Sequence, residues 1–151
     1  MNSLPSPRES TCRCGRVRMR VTCAPCATFV CHCRGCQRMT SSTFSLTAMF
    51  PDEGFEVIES EPVKGGAHSE GIDHYHCPHC KSWVFTRVAK LPHFVNVRAT
   101  MFDEPDWCVP FVKTMTREKL PWVTTLAVYS YEGFPPPGEF IKLLQEYAAT
   151  H

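Results

Sequence analysis

The chain has 151 residues, 43% of them hydrophobic and 21% charged, a balance that fits one folded domain and excludes a chain disordered throughout. Its 16 Lys and Arg against 15 Asp and Glu leave a net charge of +1, which supplies no global attraction to nucleic acid or anionic membrane. No apolar run approaches the roughly 20 residues needed to span a bilayer.

Residues 1–11 are polar and interrupted by Pro5 and Pro7, and they read as a flexible tail. The stretch from Met1 to Arg8 lacks the apolar core of a secretory signal, so a cytoplasmic, reducing setting is expected. In Arg16-Val17-Arg18-Met19-Arg20-Val21 apolar and basic residues alternate, the pattern of a half-buried strand. Further strands are expected at Thr43–Phe50, Phe55–Ile58, His74–His76, Trp83–Arg87, Phe94–Ala99, Phe111–Met115 and Val123–Tyr129, separated by Gly, Pro, Asp and Ser. The class is therefore mainly β, built of short antiparallel sheets. One helix is expected over Glu139–Ala149, where Phe140, Leu143, Leu144 and Tyr147 recur at three- and four-residue steps after Pro135-Pro136-Pro137-Gly138. An amphipathic stripe of this kind packs on its own sheet. The expected division is thus a tail over 1–11, a metal-binding domain over 12–134, and a Pro-rich connection with a docked helix over 135–151.

Ten cysteines are the unusual feature. Cys12 and Cys14, like Cys31 and Cys33, are one residue apart, too close for unstrained disulfides. Clustered thiols in a reducing compartment are more often metal ligands. The sets Cys12-x-Cys14, Cys23-x-x-Cys26, Cys31-x-Cys33-x-x-Cys36 and Cys77-x-x-Cys80 suit tight turns that aim two or three sulfurs at one zinc. Spacing leaves open which turn joins which. It also leaves open whether Cys31, Cys33 and Cys36 keep a free fourth position, as catalytic zinc does, or are closed by a distant ligand.

Five stretches, in order from about residue 12 to residue 125, resemble the glutathione-dependent formaldehyde-activating enzyme family, which also contains centromere protein V. They are Cys12-Arg13-Cys14-Gly15-Arg16-Val17, Cys31-His32-Cys33-Arg34-Gly35-Cys36-Gln37-Arg38-Met39-Thr40, Cys77-Pro78-His79-Cys80, Asn96-Val97-Arg98-Ala99-Thr100-Met101-Phe102-Asp103 and Lys119-Leu120-Pro121-Trp122-Val123. The resemblance implies a mostly β zinc fold shared with a Rab-GTPase accessory protein. It implies two zincs per chain: a structural one on Cys12, Cys14, Cys77 and Cys80, and a second on Cys31, Cys33 and Cys36 with an exchangeable fourth position. It further implies a carbon–sulfur lyase, adding a thiol such as glutathione reversibly to formaldehyde. The chain departs from the family pattern where glycines are usual: Ser41-Ser42 follows Thr40, Lys81-Ser82 follows Cys80, and Thr100 precedes Asp103.

An open zinc site lowers a thiol's pKa and delivers a thiolate. Three thiolates already on the metal make it a weak Lewis acid, so thiol binding is favoured over carbonyl polarisation. Cationic residues are expected near the ligand's carboxylates, and Arg34, Arg38 and Arg98 are the candidates, with Arg87 also on a strand. His32 lies between two ligands and, since neighbouring side chains diverge, is expected not to be one; His76 and His79 have no stronger claim, and Asp103 is expected to orient a turn. Cys23 and Cys26 lack the βαβ setting of a redox pair, and Cys108 reads as a buried apolar side chain. The competing class is a non-catalytic zinc module or thiol carrier. No nucleic acid or membrane partner is expected, and the sequence is compatible with a homo-oligomer.

Overall fold

The computed structural model describes residues 7–65 and 69–151. Two sheets carry the chain. A three-stranded antiparallel sheet orders β1 (Arg8–Thr11), β2 (Arg18–Val21) and β5 (Phe55–Glu59) as β1-β2-β5. The larger sheet has eight strands: β3 (Ala27–Cys31), β4 (Ser45–Pro51), β6 (Val63–Lys64), β7 (Ile72–His76), β8 (Trp83–Val88), β9 (Phe94–Arg98), β10 (Val112–Thr114) and β11 (Tyr129–Ser130). Their order is β11-β10-β3-β4-β9-β8-β7-β6. This sheet is mixed, because β10 runs parallel to both β3 and β11 while the other pairs are antiparallel. Two helices, α1 (Arg34–Thr40) and α2 (Pro137–Thr150), complete the mainly β fold. No described helix is long and apolar enough to cross a membrane.

Alternation explains the core. Met19 and Val21 from β2, with Phe55 and Val57 from β5, meet Ala48, Phe50, Val95, Val97 and Phe85 of the large sheet in one apolar cluster. On β2 the opposite side is polar, as period-two patterning requires, whereas β4 and β8 also bury Met49 and Val84. On β2 the outward Arg18 and Arg20 reach across to Glu9 at 2.5 and 2.9 Å. They also reach Glu59 and Glu56. A second cluster forms where Leu143 and Tyr147 of α2 pack on Ala27, Phe111 and Val112.

Several expectations change. Residues 1–6 of the expected tail lie outside the described residues, but Arg8–Thr11 is a strand, held by the Glu9 ion pairs and by the buried Ser10. The expected strand over Val123–Tyr129 is reduced to Tyr129–Ser130. Its apolar side chains are not paired with a neighbouring ladder: Leu126 is 77% exposed, and the segment is held instead by Lys119 Nζ donating to Leu120 O and Val123 O at 3.3 and 2.8 Å. Strands β3 and β6 and helix α1 were not expected from the pattern, and Cys31–Cys36 is a strand end running into that helix rather than a loop alone.

Candidate metal centres

Turns at the ends of paired strands build the first centre. Cys12 and Cys14 sit in the turn joining β1 to β2, and Cys77 and Cys80 in the turn joining β7 to β8. The first turn closes through Gly15 N–H to Cys12 O at 2.9 Å, with Gly15 at φ +77°. The second closes through Lys81 N–H to Cys77 O at 3.0 Å. Arg13 N–H donates to Ser82 Oγ at 3.2 Å and ties one turn to the other. The four sulfurs lie within 4.8 Å of one another. Val17 N–H points at Cys12 Sγ (3.3 Å), which favours a thiolate there, and Cys80 N–H points at Cys77 Sγ (3.5 Å).

The second centre is local. Cys31 ends β3, Cys33 is the N-cap of α1, and Cys36 lies in its first turns, with Cys36 N–H donating to Cys33 Sγ at 3.2 Å. These three sulfurs also lie within 4.8 Å of one another, and all three residues are half-buried. No fourth His, Cys, Asp or Glu joins them among the described residues. His32 turns away: it is fully buried, its ring stands edge-on to Phe44 at 5.7 Å, and Nε2 lies 3.5 Å from Thr125 Oγ1. Burial, then Lys119 and Lys113, hold its imidazole pKa below the usual value.

Both donor sets fit a thiophilic divalent ion. Sulfurs this crowded cannot all ionise unaided. Hydrogen bonds from Cys31 and Cys36 hold the Cys33 thiol down at about 2, while Cys31 and Cys33 push Cys36 far up. In the four-cysteine set burial opposes ionisation of Cys80, yet the Ser82 hydroxyl and backbone, with that of Cys14, bring it to about 5. The Arg16 backbone favours a Cys14 thiolate, but burial and its three sulfur neighbours push that thiol up to about 11. A bound cation would remove the mutual repulsion and allow every sulfur to ionise.

Of the candidate cations, Arg34 and Arg38 are exposed on α1. Arg34 N–H donates to Glu118 Oε2 at 2.5 Å and its side chain to Gln37 Oε1 at 3.3 Å. Arg98 is buried, with its guanidinium 4.0 Å above the Trp83 ring. Arg87 pairs with Asp52 and lies over Phe55 and Phe85. Asp103 is exposed on a cavity of about 420 Å³ that it shares with Cys12 and Thr100, beside the four-cysteine set and not the three-cysteine set.

Cys23 and Cys26 join neither centre. Burial raises both thiols, that of Cys26 to about 11, and buried Cys108 is raised to about 12. Two family glycine positions prove to be left-handed here: Ser41 at φ 51° is the C-cap of α1, and Lys81 at φ 64° closes the second turn. The backbone shape survives the loss of glycine at some conformational cost. Thr100 lies instead in a short 3-10 turn, Ala99–Met101.

Three supporting residues escape a sequence reading. Ser45 Oγ donates to Cys36 Sγ at 3.2 Å; Gln37 Nε2 donates to His32 O and Glu118 O at 2.7 and 3.0 Å; Glu118 caps α1. Only strand register reveals Ser45, which faces Cys31 across the ladder.

Residues 7–118 match the family described as glutathione-dependent formaldehyde-activating enzyme. Among curated proteins none matches the chain. A crystal structure of a Rhodobacter sphaeroides protein shares the fold with a TM-score of 0.53, at 17% identity, over 63% of this chain and 87% of its own.

Proposed function

Because the chain belongs to the glutathione-dependent formaldehyde-activating enzyme family, we propose that it binds a small thiol, glutathione or a relative, at the Cys31–Cys33–Cys36 centre and adds it reversibly to a small aldehyde. Two zinc ions complete the protein in this reading. Cys12, Cys14, Cys77 and Cys80 hold a structural one, and Cys31, Cys33 and Cys36 hold the other. The observation that carries the proposal is the convergence of three sulfurs with no fourth protein donor among the described residues. Zinc bound there supplies a position at which an incoming thiol is stable as its thiolate at neutral pH.

In the reaction the thiol sulfur forms a bond to the aldehyde carbon while the carbonyl π bond breaks. The proton lost by the thiol ends on the former carbonyl oxygen, and no electrons are gained or lost overall. The chain's own residues bind and orient. Ser45 and the N–H of Cys36 fix the sulfurs of Cys36 and Cys33, and Gln37 with Glu118 anchors α1 so that its sulfurs stay aimed at one point. Exposed Arg34 and Arg38 are available to the ligand's carboxylates.

A second reading, a binding module on the same scaffold, draws on the exposed side chains of Trp122, Leu126 and Phe134. Metal analysis with zinc-edge X-ray absorption, with and without glutathione, separates the two. The enzyme reading expects two zincs per chain and one added sulfur ligand on glutathione addition. Two closed centres indifferent to thiols refute it and leave the module.

A further inference from the structure

The register of β3, β4 and β9 puts a buried cation on the same sheet face as Cys31, with β4 between them. Cys31 pairs across the ladder with Ser45, and Arg98 pairs with Thr47 on the same strand. Cross-strand partners share a face, and Ser45 and Thr47 are two residues apart, so all four side chains project from one face of the sheet. Ser45 Oγ donates to Cys36 Sγ, which brings the cluster over that face.

Arg98 is only 8% exposed. Its guanidinium lies over Trp83, Nη2 donates to Asn96 O at 3.3 Å, and Nε has no partner. Among the described residues no carboxylate pairs with it. An unpaired buried cation is expensive unless anions lie close by. Burial draws its pKa down to about 10, against the opposing pull of the Cys36 and Cys31 sulfurs.

We propose that Arg98 is a positioning residue whose fixed positive charge makes the open position of the Cys31–Cys33–Cys36 centre selective for a thiolate over neutral ligands such as water or a carbonyl oxygen. The proposal rests on reading that centre as an open thiol site. A divalent ion with three thiolates is already negative, and a fourth thiolate adds a further negative charge. A buried guanidinium offsets that repulsion for any thiol, whatever else the molecule carries. Selection among thiols then falls to the exposed Arg34 and Arg38.

The test uses the protein loaded with cobalt(II), whose sulfur-to-cobalt charge-transfer absorption reports each added thiolate. Glutathione and 2-mercaptoethanol, which lacks carboxylates, are titrated over a pH series into the unsubstituted protein, Arg98→Met and Arg98→Lys. Arg98→Met is expected to weaken both thiols by a similar factor, about tenfold, and to raise the pH midpoint of uptake by about one unit. Arg98→Lys is expected to restore most of both. Loss of glutathione uptake alone would show a carboxylate clamp and overturn the proposal, as would unchanged uptake of both thiols. If the unsubstituted protein takes up neither, the open-site reading itself fails and the proposal falls with it. The visible cobalt bands of the four-cysteine centre report folding; should Arg98→Met lose them, Arg98→Gln carries the same comparison.

Discussion

Replacing Cys77 by alanine should destabilise the protein far more than replacing Cys36. Cys14 and Cys77, whose sulfurs are 3.8 Å apart, are separated by 63 positions in sequence. A metal joining them closes that loop in the unfolded chain as a disulfide would. The loop-closure relation gives ~4 kcal/mol for such a span. At this chain length that corresponds to a fall in Tm of about 10 °C. The sulfurs of the other set all lie between Cys31 and Cys36, so a metal there closes no long loop, and a loss of about 1 kcal/mol is expected. Urea unfolding of the zinc-loaded proteins, followed by tryptophan fluorescence and paired with metal analysis, measures both. The reasoning is refuted if Cys77→Ala unfolds at the urea concentration of the unsubstituted protein, or loses no more stability than Cys36→Ala.

Three further outcomes are expected. Ser41→Gly should stabilise the protein by about 1 kcal/mol in urea unfolding, because Ser41 occupies a left-handed conformation at φ 51° at the end of α1. Gly54→Ala should destabilise by about 1 kcal/mol, since its new Cβ would lie 2.2 Å from Cys23 Sγ, and Cys23→Ala in the same chain should recover most of the loss. The phenol of Tyr147 is raised from 10.0 to about 12, first by burial. The unfolded chain therefore releases this proton first, so stability present below pH 10.0 is lost as pH rises towards about 12. Tyr147→Phe should flatten that alkaline decline when urea midpoints are compared across pH; an unchanged slope would count against it.

Local signals carried much of the fold into the sequence. The alternation of β2, and the three- and four-residue stripe of α2, depend only on neighbours in the chain, and both elements stand close to where the pattern puts them. The cysteine turns are equally local, since a Cys-x-x-Cys hairpin needs only its own residues. Strand β3 was harder to see because it is buried between β4 and β10, where a central strand loses its polar face. The apolar alternation of Val123–Tyr129 misled in the opposite direction: without a neighbouring ladder, alternation leaves Leu126 in solvent.

The sequence by itself therefore determined the donor chemistry of this protein: nine closely spaced cysteines in four sets, each able to aim two or three sulfurs at one metal ion. Tertiary structure decided what those sulfurs meet. Four turns of similar spacing are equally competent to pair, and only the packing of the three-stranded sheet on the large one brings Cys12 and Cys14 to Cys77 and Cys80. Arg98 shares a face with Cys31 because of two antiparallel registers, and a slip of one residue would send it to the opposite side of the sheet. Register is a property of strands far apart in sequence, so no reading of neighbouring residues contains it.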